Sequence, residues 1–492
     1  MDKSVSKTVS GILNKYAALP LQIKASFWFL ICAFLQKGIS SITIPVFTRL
    51  MTPGEYGQYN VFNSWFNIVS VFVSLNLASG VYMQGLVKFS NDRISYISSM
   101  QGLTFTLTLI WSGIYLGFYE FWNRIFSLTT IQMLAMLVMI WTSTAFQFWA
   151  GEQRVELRYR SLIIVTLLTS FAKPLIGVYF VLHAQDKVTA RILSLVLVEI
   201  VFYTGLFFIQ LFRGKQFISK RFWIYALHFN LPLIPHYLSI IILSSSDRLM
   251  IDKMIGSAEA GIYSLAYSIS QIMTLFNSAL NQTLTPWLYR KIKDKQIGDI
   301  ASLIFPIICF IAVINLVLIV FAPEIIMIFT PPEYYAAVNI IPPITMSVYF
   351  LFLYDFLSAF EFYFEKTKYI MLATSFGAGL NIVLNFIFIK IFGYYAAGYT
   401  TLFCYMIYAL CHYKFMRRIC KQNLDNQQPC DPYSLFMITA CFLTIGFLIQ
   451  LTYSFNWLRY VFFLGLIFIL AFKYKKIKKL AGQLSKIRSN KQ

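Results

Sequence analysis

At 492 residues, with 58% hydrophobic side chains, 12% charged ones and a mean hydropathy of +0.66, the chain departs from soluble globular proteins, where about a quarter of residues are charged. Its 41 Lys and Arg against 20 Asp and Glu leave a formal charge of +21. In a soluble chain that excess would suggest nucleic acid, but here the basic residues cluster between apolar runs and read as membrane topology, so no nucleic-acid partner is expected.

Apolar runs long enough to cross a hydrocarbon core of about 30 Å recur roughly 14 times, which predicts an all-α integral membrane fold of about 14 transmembrane helices. Residues 1–24 read as a cytoplasmic or interfacial segment in which Val5, Val9, Ile12, Leu13 and Tyr16 share one helical face. The first span, Ala25 to Val46, carries Lys37 near the bilayer midplane, where an unpaired cation costs at least about 2.5 kcal/mol. Lys37 must therefore face protein or water, and Ser41 and Thr48 extend its polar face. The second span, Gln58 to Gly80, has Asn63, Asn67, Ser70 and Ser74 at helical spacing. Such a stripe serves either interhelical hydrogen bonds or the lining of a cavity.

Four further spans are placed at Gln101 to Phe121, Thr129 to Trp149, Ser161 to Leu182 and Thr189 to Phe212. In the fifth, Thr166, Thr169, Ser170 and Lys173 make a polar face with Pro174 next to the Lys. Glu199, in the sixth, is the expected neutralising partner of either midplane lysine, in a structural pair or as part of ion coupling. The remaining spans run Ile224 to Leu243, Ile262 to Leu280, Ala301 to Val320, Asn339 to Phe360, Ile370 to Ile389, Ala396 to Phe415, Ser434 to Thr452 and Leu458 to Phe472. Pro232 and Pro235 predict a bent or broken seventh span beside His236, and Asp355, deep in the tenth, is the second candidate for an ion-coupling carboxylate. The seven Cys imply no disulfide framework or zinc site, and no cofactor is expected beyond a coupling H+ or Na+.

The chain is also self-similar. I-P-V-F-T-R-L-M-T-P-G-E-Y-G-Q-Y from Ile44 is echoed by D-R-L-M from Asp247 and E-A-G-I-Y from Glu259. Aligning Gly57 with Gly261 sets Asn63, Asn67, Ser70 and Ser74 against Tyr267, Gln271, Thr274 and Ser278. The spacing predicts two six-helix lobes as a parallel internal repeat plus two C-terminal helices. The lobes are residues 25–221 and 222–421, followed by helices 13 and 14 in 422–472 and a basic cytoplasmic tail, 473–492. Counting basic residues by loop places about 31 inside and about 8 outside, with both termini cytoplasmic.

With S-S-D-R-L-M-I from Ser245, A-G-I-Y-S-L-A-Y from Ala260, P-P-E-Y from Pro331 and L-N-F-I-F-I-K-I-F-G-Y-Y-A-A-G from Leu384 added, the chain resembles the polysaccharide-exporting branch of the MOP superfamily, the flippases for lipid-linked oligosaccharides. The resemblance implies a bacterial plasma-membrane transporter, not an enzyme. It would pass an undecaprenyl-diphosphate-linked glycan from inner to outer leaflet by alternating access, with membrane lipids and a polysaccharide polymerase and glycosyltransferases as partners. Arg49 and Arg248 match the recurring arginines of that family, and Lys37, Lys173, Asn63, Asn67, Tyr267 and Gln271 complete the expected substrate-binding set. Two alternatives stand beside it. An ion-coupled exporter of cationic drugs on the same fold is disfavoured by cations at midplane, and a membrane glycan polymerase or glycosyltransferase is disfavoured by an outer first loop that offers only Glu55.

Overall fold

The computed structural model describes residues 20–472 and is all-α. The interfacial face from Val5 to Tyr16 and the basic tail lie outside the described residues. Helices α1 (Leu21–Leu50), α2 (Pro53–Ser74), α3 (Val81–Lys88), α4 (Arg93–Gly117), α5 (Tyr119–Phe126), α6 (Thr130–Val155), α7 (Tyr159–His183), α8 (Lys187–Gly214) and α9 (Lys220–Asn230) come first. They are followed by α10 (Ile234–Met254), α11 (Ser257–Ser270), α12 (Met273–Lys293), α13 (Ile297–Val320), α14 (Ala322–Phe329), α15 (Ile341–Tyr363), α16 (Thr367–Phe392), α17 (Tyr395–Asn423), α18 (Pro432–Leu451) and α19 (Asn456–Phe472). The chain groups into two compact units, one of residues up to Thr43 with Trp65–Ile234, the other of Ile44–Ser64 with residues from Pro235 onward.

In the first unit α6 packs on α8, and α8 on α7 and α4. At one end Leu77, Tyr82, Tyr96, Phe148 and Phe222 form a sealed aromatic cluster. Its hydroxyls are satisfied by backbone, Tyr82 Oη donating to Phe148 O at 2.8 Å and Tyr96 Oη to Val81 O at 3.1 Å. After Gly117 the chain turns by 95° into the short aromatic helix α5. Ser127 then stops α5 in a left-handed conformation, and Thr129 opens α6 with a reciprocal capping box to Gln132.

In the second unit α15 is the central helix. Pro342 and Pro343 in its first turn cost no helical hydrogen bond, and its buried face, including Tyr349, Phe352 and Phe360, packs on α17, α13 and α12. The last turns of α1 and the first half of α2 also belong here. Thr48 Oγ1 donates to Phe329 O at 3.1 Å, Tyr334 Oη donates to Met51 O at 2.9 Å, and the Tyr56 and Tyr334 rings meet edge to face. Gly57 of α2 and Gly261 of α11 lie backbone to backbone, so close that a Cβ on Gly261 would stand 2.0 Å from Pro53 O. The two matching glycines in the sequence therefore mark a helix crossing that only glycine permits.

The expectation of about 14 spans in two six-helix lobes requires correction. Among the described residues nine helices are long and apolar enough to cross a membrane, or ten if the bent α4–α5 pair is one span. The physical reason is polarity and breakage. The eighth run, Ile262 to Leu280, is interrupted at Gln271 and Ile272 between a 14-residue α11 and α12. α12 ends in Arg290, Lys291 and Lys293, α17 carries His412, Lys414, Arg417 and Arg418, and α19 has 17 residues. Apolar content counted run by run does not register these interruptions. The seventh run is broken as its prolines require, with a 3-10 turn at Leu231–Leu233 between α9 and α10.

Candidate functional site

Charged groups in apolar helices must find partners, and the partners define the sites. In the first unit Lys173 of α7 donates to Glu199 Oε1 of α8 at 2.7 Å, and Thr142 of α6 donates to Glu199 Oε2 at 2.9 Å. The Lys173 ammonium also lies 5.6 Å from the Tyr203 ring centre, and Arg191 donates to the Lys173 carbonyl at 3.1 Å. The pair is lopsided in burial, with 30% of the Lys173 side chain exposed against 5% of Glu199. Replacing Lys173 alone with Met should destabilise the protein by about 3–5 kcal/mol, because it strands a buried carboxylate, whereas Lys173→Met with Glu199→Met should recover most of that loss. Thermal unfolding of the two singles and the double checks this, and additive losses would refute the pairing. Lys37 is exposed on α1, and Asn67 is exposed on α2.

The sequence reading overlooked a second buried carboxylate in this unit. Glu152 of α6 accepts from Arg213 and, at 2.6 Å, from Gln210 Nε2 of α8, and Gln101 Nε2 of α4 donates to Gln210 Oε1 at 2.6 Å. Three helices are thereby joined through one charge with its donors satisfied.

In the second unit the neighbours Asp247 and Arg248 on α10 part company. Asp247, 1% exposed, accepts from Tyr263 Oη of α11 at 2.5 Å, Thr401 Oγ1 of α17 at 2.7 Å and Asn385 Nδ2 of α16 at 2.6 Å. Ser246, Asn381 and Thr400 complete the network around Asn385. Four helices thus meet at one carboxylate. Arg248 lies over the Tyr267 ring at 4.2 Å and donates to Ser64 Oγ at 3.4 Å, while its buried Nε has no hydrogen-bond partner. The structure thus brings Arg248 and Tyr267 together, and because the oxygens of Asp247 are already taken by three other donors, the guanidinium keeps an unused donor. Asn63 donates to Tyr59 O on its own helix, and Gln271 sits half-buried at the break after α11.

Arg49 is committed elsewhere. It donates to Pro45 O in its own turn and to Ile328 O at 2.7 Å, so it caps the carbonyl end of α14, where a cation meets the negative pole of the helix. Asp355 of α15 accepts from Asn281 Nδ2 of α12 at 2.6 Å. Nearer the end of the same helix, Glu361 meets His412 of α17 at 2.7 Å, both side chains fully buried. Neither Asp247 nor the Glu361–His412 pair was singled out from the sequence as a site. The signal is present, since an Asp inside an apolar span is costly wherever it stands, but D-R-L-M and S-S-D-R-L-M-I draw notice in the sequence as marks of the repeat and of the family resemblance.

The family model described as "Polysaccharide biosynthesis protein" matches residues 23–292. A Haemophilus influenzae protein named for the Lsg locus is 23% identical over 398 residues, 75% of this chain and 93% of the relative. Among solved structures, "Lipid II flippase MurJ, inward closed conformation" superposes with a TM-score of 0.63 at 13% identity, over 88% of this chain and 99% of that one. An inward-facing multidrug resistance MATE family transporter of the MOP superfamily superposes with a TM-score of 0.61 at 12% identity, over 78% and 95%. At such identities the likeness is one of fold alone, an all-α multi-pass membrane fold.

Proposed function

From the premise that the chain belongs to the polysaccharide biosynthesis protein family, in the flippase branch of the MOP superfamily, we propose that this transporter moves a polyprenyl-diphosphate-linked oligosaccharide from the inner to the outer leaflet by alternating access. It works in the bacterial plasma membrane with both termini cytoplasmic, beside the polymerase and glycosyltransferases that use and supply the glycan. Arg248 receives the head group, and Glu199 or Asp355 binds the coupling ion.

The observation that carries this reading is Arg248. Its neighbouring carboxylate is occupied by three other donors, and its buried Nε is unpartnered. A diphosphate brings concentrated negative charge and acceptor oxygens, and a guanidinium with a free donor meets both needs. A cationic drug would meet a like charge at the same place, which disfavours the exporter reading.

The test uses purified protein in liposomes with a fluorescent undecaprenyl-diphosphate oligosaccharide, and follows protection of the dye from an external quencher. Arg248→Ala should slow translocation about tenfold or more, the equivalent of losing one charge-assisted hydrogen bond, and Arg248→Lys should recover only part of it. Wild-type rates in both variants would reject the anion-binding role, and movement of cationic dyes instead of glycan would favour the exporter. Topology has its own check. A single Cys beside Lys293 should stay unlabelled by membrane-impermeant thiol reagents in intact cells, and strong labelling would reverse the orientation.

A further inference from the structure

Glu361 and His412 form the most completely enclosed acid–base pair among the described residues, with no exposed side-chain surface on either. His412 Nδ1 lies 2.7 Å from Glu361 Oε1, and the other polar atom of each group, His412 Nε2 and Glu361 Oε2, is buried without a hydrogen-bond partner. A buried pair kept for stability alone is expected to have its remaining lone pairs and protons satisfied. This one leaves two sites open, one on each partner, where a proton can be held.

The surroundings suit a change of charge. The imidazole is boxed by the rings of Tyr354, Tyr408 and Phe415 at 4.8, 4.6 and 6.3 Å, all steeply inclined to it, and aromatic rings around a cation attract it. The titratable groups facing the pair are Tyr354 on α15, Tyr408 and Cys411 on α17, and His236 from α10, with Lys414 beside Cys411. Tyr354 stacks on Tyr408 at 4.5 Å, so the two phenol rings close over the imidazole together.

We propose that the Glu361–His412 pair is a proton-binding site that loads and unloads one proton during transport. The proposal rests on the flippase reading for the coupled step. With Nδ1–H donating to Oε1, the carboxylate and neutral imidazole together carry net charge −1, and neither Nε2 nor Oε2 holds a proton. A proton taken on at Nε2 gives carboxylate and imidazolium with net charge 0, and its release restores the starting pair.

Because the chain has four His, His183, His228 and His236 can be replaced with Gln to leave His412 as the sole histidine. Solid-state nitrogen NMR of this protein in lipid should show ring-nitrogen signals that differ between pH about 5 and about 9, the range in which imidazole changes charge. This needs no substrate and keeps Glu361 in place. Signals that stay the same across that range overturn the proposal. In the liposome assay, an imposed pH gradient should speed wild-type glycan translocation, and Glu361→Gln should abolish that dependence while slow, gradient-independent exchange persists. A variant that folds and keeps the wild-type response to the gradient also overturns it. If wild-type protein moves no glycan but His412 still changes with pH, the flippase reading fails and the proton-binding site stands.

Discussion

Gly261→Ala should lower the stability of this protein, although the same substitution elsewhere in an exposed helix raises it by up to about 1 kcal/mol. The added Cβ would stand 2.0 Å from Pro53 O and 3.0 Å from Gly57 N, and the reciprocal Cβ on Gly57 would stand 1.8 Å from Ser257 O. These are main-chain atoms of two packed helices, so no rotamer change relieves the overlap, and the helices must move apart. Overpacking of this kind costs about 1–3 kcal/mol and occasionally more. The separation would also strain the contacts beside it, Tyr334 Oη to Met51 O and Tyr56 against Tyr334. Gly261→Val should be worse still, with little folded protein recovered from membranes. Gly379→Ala is the control, because nothing lies within 4 Å of its Cβ position. Thermal unfolding of the purified variants decides the matter, and equal midpoints for Gly261→Ala and Gly379→Ala would show that the crossing yields.

The two glycines also show how far the sequence could be read. Their recurrence in E-Y-G-Q-Y and E-A-G-I-Y was legible as a repeat, but a repeat does not say that its two copies touch. Opposite charges in apolar helices were legible as pairs in waiting. Glu199 had two candidate lysines, and geometry selected Lys173. The break of the seventh run was legible because proline removes a backbone donor. The break after α11 was not, since Q-I carries no breaker. Partners that are carbonyls, such as Ile328 O for Arg49, leave no mark in sequence because every residue has one. The span count failed for the same kind of reason. Hydrophobic content is local, whereas whether α12 or α17 crosses a bilayer depends on where its charges are accommodated.

The network around Asp247 should respond to the loss of a carboxylate more than to the loss of volume. Asp247→Leu leaves Tyr263, Thr401 and Asn385 with donors that have no acceptor in a place water does not reach. At about 1–3 kcal/mol for each stranded group, discounted for relaxation, the loss is several kcal/mol, enough to threaten a marginally stable fold. Asp247→Asn should fall between. Its carbonyl can still accept from Tyr263 and Thr401, but its amide then faces the Asn385 amide, and turning Asn385 over would break its bond from Thr400. Adding Asn385→Asp resolves that conflict, because one carboxylate and one amide are again opposed, and turning Asn381 over presents its otherwise unpartnered Nδ2 to the new carboxylate in place of Oδ1. The exchanged protein should therefore regain most of the stability lost by Asp247→Asn, while its negative charge has moved from α10, beside Arg248, to α16. Translocation need not follow stability, since the field at Arg248 changes with the position of the charge. If Asp247→Asn alone unfolds at the wild-type temperature, the three donors are not held by the charge, and the meeting of four helices at this residue rests on packing.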